Sequence, residues 1–268
     1  MTQSLRNAAF LEEMGIAPLW SARAPAAGEP ALLPAAPPAA APLPYAGPSA
    51  PPIVREFDTP PAPAWDALPA VSDAQIGAMD WDELQAGVAS CTRCSLCKGG
   101  RPPVPGRGAR SARWLVVAGA SNAADAQAQQ ALAGEPGHLL DNMLAAAGHA
   151  LERDTWLSNV IKCRPASASG GERAPTADEA AACRPWLERE LVLCGATMVL
   201  TLGQIAANTL QGKPLAEPLA GARGQVHVFG GVPQVATLHP GELLRRGADK
   251  ALAWADLCRA TAHDASSG

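Results

Sequence analysis

The sequence predicts an α/β domain, a three-layer αβα sandwich whose central sheet is mostly parallel and four-stranded. Three observations lead there. Four short apolar runs recur between residues 114 and 238. Segments with helical spacing separate them, and two of the runs end in Gly, where a strand would hand over to a loop. In such a sheet, ligands bind beyond the carboxyl ends of the strands.

The elements follow in order. In residues 1–23, Leu5, Ala9 and Met14 can share one side of a small amphipathic helix ending near Gly15. It is too short to be stable alone, so it docks on a protein partner or on the main domain, or it frays. Residues 24–72 are dominated by Pro and Ala. Proline blocks both helix and ladder, which makes this a semi-extended, disordered linker. An ordered domain is expected over 73–262, with 263–268 as a disordered tail. Ser72 or Asp73 is the natural N-cap of its first helix, which runs through Ile76, Met79 and Leu84. Trp114 to Gly119 reads as a buried strand. His138 to Ala147 is helical through Leu139, Leu140, Met143 and Leu144. Thr155 to Ile161 is a second strand. Asp178 to Leu193 is a helix, with Thr176 as N-cap and Glu179 completing a capping box. Met198 to Gly203 is a third strand, followed by a helix from Gln204 to Leu210. Val235 to Leu238 is a fourth strand, and Asp249 to Arg259 a last helix.

The bulk numbers limit the function. The 268 residues carry a net charge of −4, which argues against a uniformly basic nucleic-acid binder. Locally, Arg93, Lys98, Arg101, Arg107, Arg110 and Arg113 follow one another without an acid. Such a run either neutralises phosphates or forms a solvated loop. No leader is visible, and no apolar stretch approaches the roughly 20 residues of a membrane span. The expectation is a cytoplasmic protein without membrane association, acting as a monomer.

The seven cysteines are unevenly placed, three of them within Cys91 to Cys97. Without a leader, that pattern points to metal or redox chemistry and away from a disulfide framework. Cys91-Thr92-Arg93-Cys94 is a C-x-x-C pair; Cys163 follows a strand and Cys183 lies in a helix. Two close and two distant thiolates can close a site of four cysteines for zinc or for an iron–sulfur cluster. The wide spacing between Cys163 and Cys183 favours the cluster. Cys97 is an alternative or spare ligand, while Cys194 and Cys258 read as core residues.

Read together, these motifs resemble a known family. Cys91-x-x-Cys94 is followed by Ser158-Asn159-Val160-Ile161-Lys162-Cys163-Arg164-Pro165, Cys183, Leu202-Gly203 and His239-Pro240-Gly241-Glu242-Leu243-Leu244-Arg245. The succession is similar to that of the family 4 uracil-DNA glycosylases. The resemblance implies a [4Fe–4S] cluster on Cys91, Cys94, Cys163 and Cys183, and excision of uracil from uracil-containing DNA. A base must leave the stack for its glycosidic bond to be reached. Negative charge then grows on the departing base, where placed donors lower the barrier. By its place in the resemblance, His239 would donate to uracil O2 and Asn159 would read the base edge. Leu243, Leu244 and Arg245 would lie on the loop that fills or flanks the vacated stack.

The first motif departs from the family pattern. That motif is Gly-Glu-(Ala/Gly)-Pro-Gly with an acidic pair after it, whereas this chain has Gly119-Ala120-Ser121-Asn122-Ala123. Asp125 is the nearest acid and the candidate substitute. Where the family carries a Pro-Phe, this chain has Ala131-Leu132, so Leu132 replaces the stacking ring and Gly119 and Ala120 form the pocket floor. Losing such a ring removes roughly 1–3 kcal/mol of stacking. Gly137-His138-Leu139-Leu140-Asp141 still matches; His138 is a substitute polar group or an exposed helix residue. Three readings stay open: an active glycosylase, a DNA-binding relative without excision, and a partner-binding relative.

Overall fold

The computed structural model describes residues 70–97, 102–167 and 170–266. The expectations for 1–23 and for nearly all of 24–72 lie outside the described residues, as do Lys98 and Arg101. Order resumes with two short helices, α1 (Asp73–Ala78) and α2 (Trp81–Ala89). Each opens with a reciprocal capping box, Ser72 with Gln75 and Asp80 with Glu83. These bonds satisfy amides that a helix start leaves free. Ile76, Leu84 and Val88 then pack with Trp186 and Cys183 in one apolar cluster.

Six strands form one sheet: β1 (Arg107–Gly108), β2 (Trp114–Ala120), β3 (Thr155–Ile161), β4 (Met198–Leu202), β5 (Val226–Phe229) and β6 (Val232–Thr237). Their spatial order is β1-β3-β2-β4-β6-β5. The inner four are parallel and carry the four apolar runs seen in the sequence. An antiparallel strand is added at each edge, so the expected four-stranded sheet is corrected to six. With only two residues, β1 is too short to leave a periodic signal. β5 turns into β6 through Gly230-Gly231, both at positive φ. That is the mirror-type hairpin turn whose twist suits paired strands, and glycine reaches it without strain.

Helices cover both faces: α3 (Ala123–Ala128), α4 (Glu135–Ala146), α5 (Leu151–Asp154), α6 (Ala177–Cys194), α7 (Gly203–Gln211), α8 (Pro240–Arg245) and α9 (Lys250–Ser266). Alternate residues of β2 face opposite ways, as strand geometry requires. Leu115 and Val117 join Val160, Leu187, Leu191, Val199 and Leu210 in one core. Trp114, Val116 and Ala118 join Leu140, Leu144, Leu200, Val235 and Leu257 in the other. Both faces of the parallel sheet are therefore dry. The box at the start of α6 has Thr176 N–H donating to Glu179 Oε2 at 2.9 Å and Glu179 N–H to Thr176 Oγ1 at 3.2 Å.

The expected tail at 263–268 needs correcting over its first residues, because α9 continues to Ser266. Asp264 anchors it, accepting from Arg113 Nε at 2.6 Å, Trp114 Nε1 at 2.9 Å and Thr197 Oγ1 at 2.7 Å. Burial works to raise its pKa, but the bonds from Arg113, Trp114 and Thr197 outweigh it and hold the carboxyl below its ordinary value. No helix among the described residues is long and apolar enough to cross a membrane.

Candidate active site

A cavity of about 400 Å³ opens at the carboxyl ends of β2, β4 and β6. Here β2 has neighbours on both sides that are reached by oppositely directed connections, the crevice expected of an open α/β sheet. Gly119, Ala120, Ser121 and Asn122 supply one wall, Gly203 and Gln204 a second, and His239 a third. The loop before α6 closes the mouth with Glu172 to Pro175. Arg173 holds that loop by a two-pronged pair with Glu179, one prong 2.9 Å long. Gly203 has φ +84°, and a Cβ there would lie 3.1 Å from His239 Cβ. Glycine thus lets the end of β4 come close to the imidazole.

His239 is the N-cap of α8. The Gly241 N–H donates to its Nδ1 at 3.1 Å, so the ring proton of the neutral form belongs on Nε2. Burial pushes the imidazole pKa below its ordinary value, with Glu242 and Asp125 opposing and Arg245 assisting. The site therefore holds an uncharged imidazole able to donate from Nε2.

Asn159 leaves the end of β3 fully buried and lies behind the cavity wall. Its Nδ2 donates to Ser121 Oγ at 2.8 Å and to Asp125 Oδ2 at 3.4 Å. Its Oδ1 is buried with no hydrogen-bond partner, an acceptor that an N–H of a bound molecule would satisfy. Asp125 is buried too and does not line the cavity. Its Oδ1 accepts from Ala133 N–H at 2.8 Å and its Oδ2 from Asn122 N–H at 3.3 Å. With both oxygens taken, it braces the first loop and the Asn159 amide. Sequence reasoning overlooked Ser121, which links that amide to the Lys162 carbonyl at 2.8 Å. Its place just after a strand end was the available signal.

The structure brings Gly119, Ala120 and His239 to the cavity, with Asn159 and Asp125 behind it. Leu132 lies elsewhere: at φ +52° it is buried in the core beside Leu140 and Leu144. Leu244 and Arg245 stand on the exposed side of α8, Leu244 being 44 % exposed. His138 is exposed on α4. The cavity's carboxylates come from outside the first loop: Glu172, which accepts from Ala123 N–H at 3.1 Å, and Glu242.

The four arginines described in the basic run are engaged with the protein. Arg93 pairs with Asp73, Arg110 with Asp82 and Arg113 with Asp264, while Arg107 Nε donates to the Ala131 carbonyl at 2.9 Å. These contacts favour a structural role for the run over an open strip for phosphates.

Five cysteines converge where the loop after α2 meets β3 and α6: Cys91, Cys94, Cys97, Cys163 and Cys183. Cys97 Sγ lies 3.9 Å from Cys94 Sγ and 3.9 Å from Cys163 Sγ. The Cys97 thiol and nearby backbone amides bring Cys91 and Cys94 down to about 6, against the effect of burial. Contacts with Cys163, Cys91 and Cys94 push Cys97 the other way. Burial raises Cys183 to about 12, although the Lys162 ammonium opposes it and the Lys162 N–H donates to its sulfur at 3.5 Å. Sulfur donors with amides aimed at them fit an iron–sulfur cluster, whose sulfurs accept such bonds. Among the described residues, no three His, Cys, Asp or Glu are grouped as a single metal ion would need.

Lys162 joins the two sites. Fully buried, it donates from Nζ to Glu190 Oε2 at 2.9 Å, Ser158 Oγ at 2.6 Å and the Asn159 carbonyl at 3.2 Å.

Comparison with known proteins agrees with this layout. Residues 105–258 match the family model described as the uracil DNA glycosylase superfamily. A type-4 uracil-DNA glycosylase of Pyrobaculum aerophilum is 30% identical over 177 residues, covering 63% of this chain and 87% of the relative. The protein of that name from Thermotoga maritima is 29% identical over 160 residues, covering 59% and 80%. That of Archaeoglobus fulgidus is 32% identical over 126 residues, covering 47% and 61%.

Proposed function

The chain belongs to the uracil-DNA glycosylase superfamily, and from that premise we propose that it hydrolyses the N-glycosidic bond of uracil in DNA. The observation that carries this reading is His239, neutral, fixed by Gly241 and able to donate from Nε2 beside a cavity large enough for one base. An extruded uracil enters the cavity. The bond from the sugar C1′ to the base breaks, and its electron pair stays on the base. The Nε2–H donates to the oxygen that gains this charge. A water oxygen then bonds C1′, and its proton goes to solvent. Asn159 accepts the base's N–H at Oδ1, while Asp125 acts as a positioning residue through the Asn159 amide. Glu172 and Glu242 are the carboxylates near enough to order the water. Leu244 enters the gap left in the stack, as apolar wedges do, and Arg245 contacts the backbone beside it.

Cys91, Cys94, Cys163 and Cys183 would hold a [4Fe–4S] cluster, which when bound cross-links the loop after α2 to β3 and α6. The resulting enzyme works as a cytoplasmic monomer on uracil-containing DNA, and residues 1–23 are the segment proposed to meet a protein partner.

The test is uracil release measured across pH. His239 has a depressed pKa when folded, so the neutral donor is present at and above the ordinary value of 6.5. It is lost only as pH falls through the lower folded value, because protonation consumes the lone pair that accepts from Gly241. Release should therefore stay flat from pH 8 through 6.5 and fall only at lower pH, where an unperturbed imidazole would already be charged. A second reading rests on Ala120, which puts a methyl where the family carries a carboxylate. It predicts salt-sensitive DNA binding with no release at any pH.

A further inference from the structure

The thiol pocket holds one sulfur more than the proposed cluster uses. Cys97 is not a bystander at its rim: its Sγ is within 3.9 Å of both Cys94 Sγ and Cys163 Sγ. The loop makes this possible by a tight turn, in which Cys97 N–H donates to the Cys94 carbonyl at 3.3 Å. As a result the chain carries two overlapping C-x-x-C pairs, Cys91 with Cys94 and Cys94 with Cys97. Either pair presents two sulfurs to Cys163 and Cys183. Cys194 differs: it lies in the core behind, donating to the Leu191 carbonyl.

We propose that Cys97 is an exchangeable fifth ligand, able to take the place of Cys91 on the cluster. The inference rests on the cluster reading above. In the exchange, Cys97 releases its proton to solvent and its thiolate bonds iron. The bond from Cys91 breaks, Cys91 takes up a proton, and no electron moves. The set stays at four thiolates throughout, so the loop remains attached if Cys91 is alkylated or oxidised. Cys183 has no such understudy. Its sulfur sits on α6 and accepts from the Lys162 amide.

The experiment compares anaerobically purified full-length wild type, Cys91→Ala, Cys97→Ala, the Cys91→Ala/Cys97→Ala double variant and Cys183→Ala. Iron, acid-labile sulfide and the broad visible absorption are measured. Alanine is used because serine can itself bind iron through oxygen. Both single loop variants should keep most of the wild-type iron, whereas the double variant and Cys183→Ala should lose nearly all of it. A second measurement covers loss of iron through misfolding: iodoacetamide labelling of loaded protein, mapped by mass spectrometry. Cys97 should be labelled in the wild type and protected in Cys91→Ala, with Cys258, which is exposed on α9 and not in the core as its sequence position suggests, labelled in both. Cys91→Ala losing iron as fully as the double variant would overturn the exchange alone, as would a double variant that keeps it. Wild type without iron would overturn the cluster reading, and the exchange with it.

Discussion

Asn159 and Cys163 leave the same strand end toward sites built on different terms. On the thiol side, five sulfurs occupy a place where four would do, backed by Trp186 and by amides from two chain segments. On the cavity side, one imidazole and one buried amide stand over a first loop that contributes no carboxylate to the wall. By the proposed exchange the thiol pocket would tolerate loss of Cys91 but not of Cys183, whereas the one imidazole at the cavity is fixed by a backbone bond from Gly241. The difference teaches where sequence change is cheap. Asp125 holds the shape of the first loop from behind the cavity wall, so that loop can change its chemistry while the fold stays put.

Lys162 is where the comparison breaks most easily, because it serves both sides. Glu190→Gln should destabilise the domain by about 3 kcal/mol, since it leaves a buried ammonium without its counter-charge. Denaturant unfolding would show it, and a loss under about 1 kcal/mol would mean that water reaches the pair. Next in size is the anchor of α9. Asp264→Ala removes three hydrogen bonds at once and should cost about 2 kcal/mol, seen as a lower Tm with the thiol pocket unaffected. The smallest effect belongs to the helix that carries Cys183. Thr176→Ala should cost about 1 kcal/mol through the lost cap. It should also loosen the wall at Arg173, because the lost Oγ1 fixes the Glu179 backbone whose carboxylate Arg173 grips. Amide exchange at residues 173–176 would report that loosening.

Much of this arrangement was legible beforehand. The inner strands are long enough and apolar enough to announce themselves, and β3 runs over Thr155–Ile161 as its pattern required. The box at Thr176 and Glu179 follows from local chemistry alone. What escaped depended on tertiary context. β5 is half exposed and hydrogen-bonds only to β6, though Gly230-Gly231 between two short runs was a usable hairpin signal. Leu132 looked like a pocket wall by its place in the motif, but a left-handed backbone turns it into the core. Sequence spacing leaves Cys97 as either an alternative or a spare ligand, because it counts neighbours along the chain, and only the fold places its sulfur beside Cys163.

The central claim is that His239 donates to the leaving base. It is tested most directly by single-turnover uracil release with wild type and His239→Ala, alongside DNA affinity for both. The account predicts a loss of roughly 10²–10³-fold in release, the cost of removing one such donor, with affinity little changed. Equal losses in release and affinity would contradict it, as would release that survives the substitution.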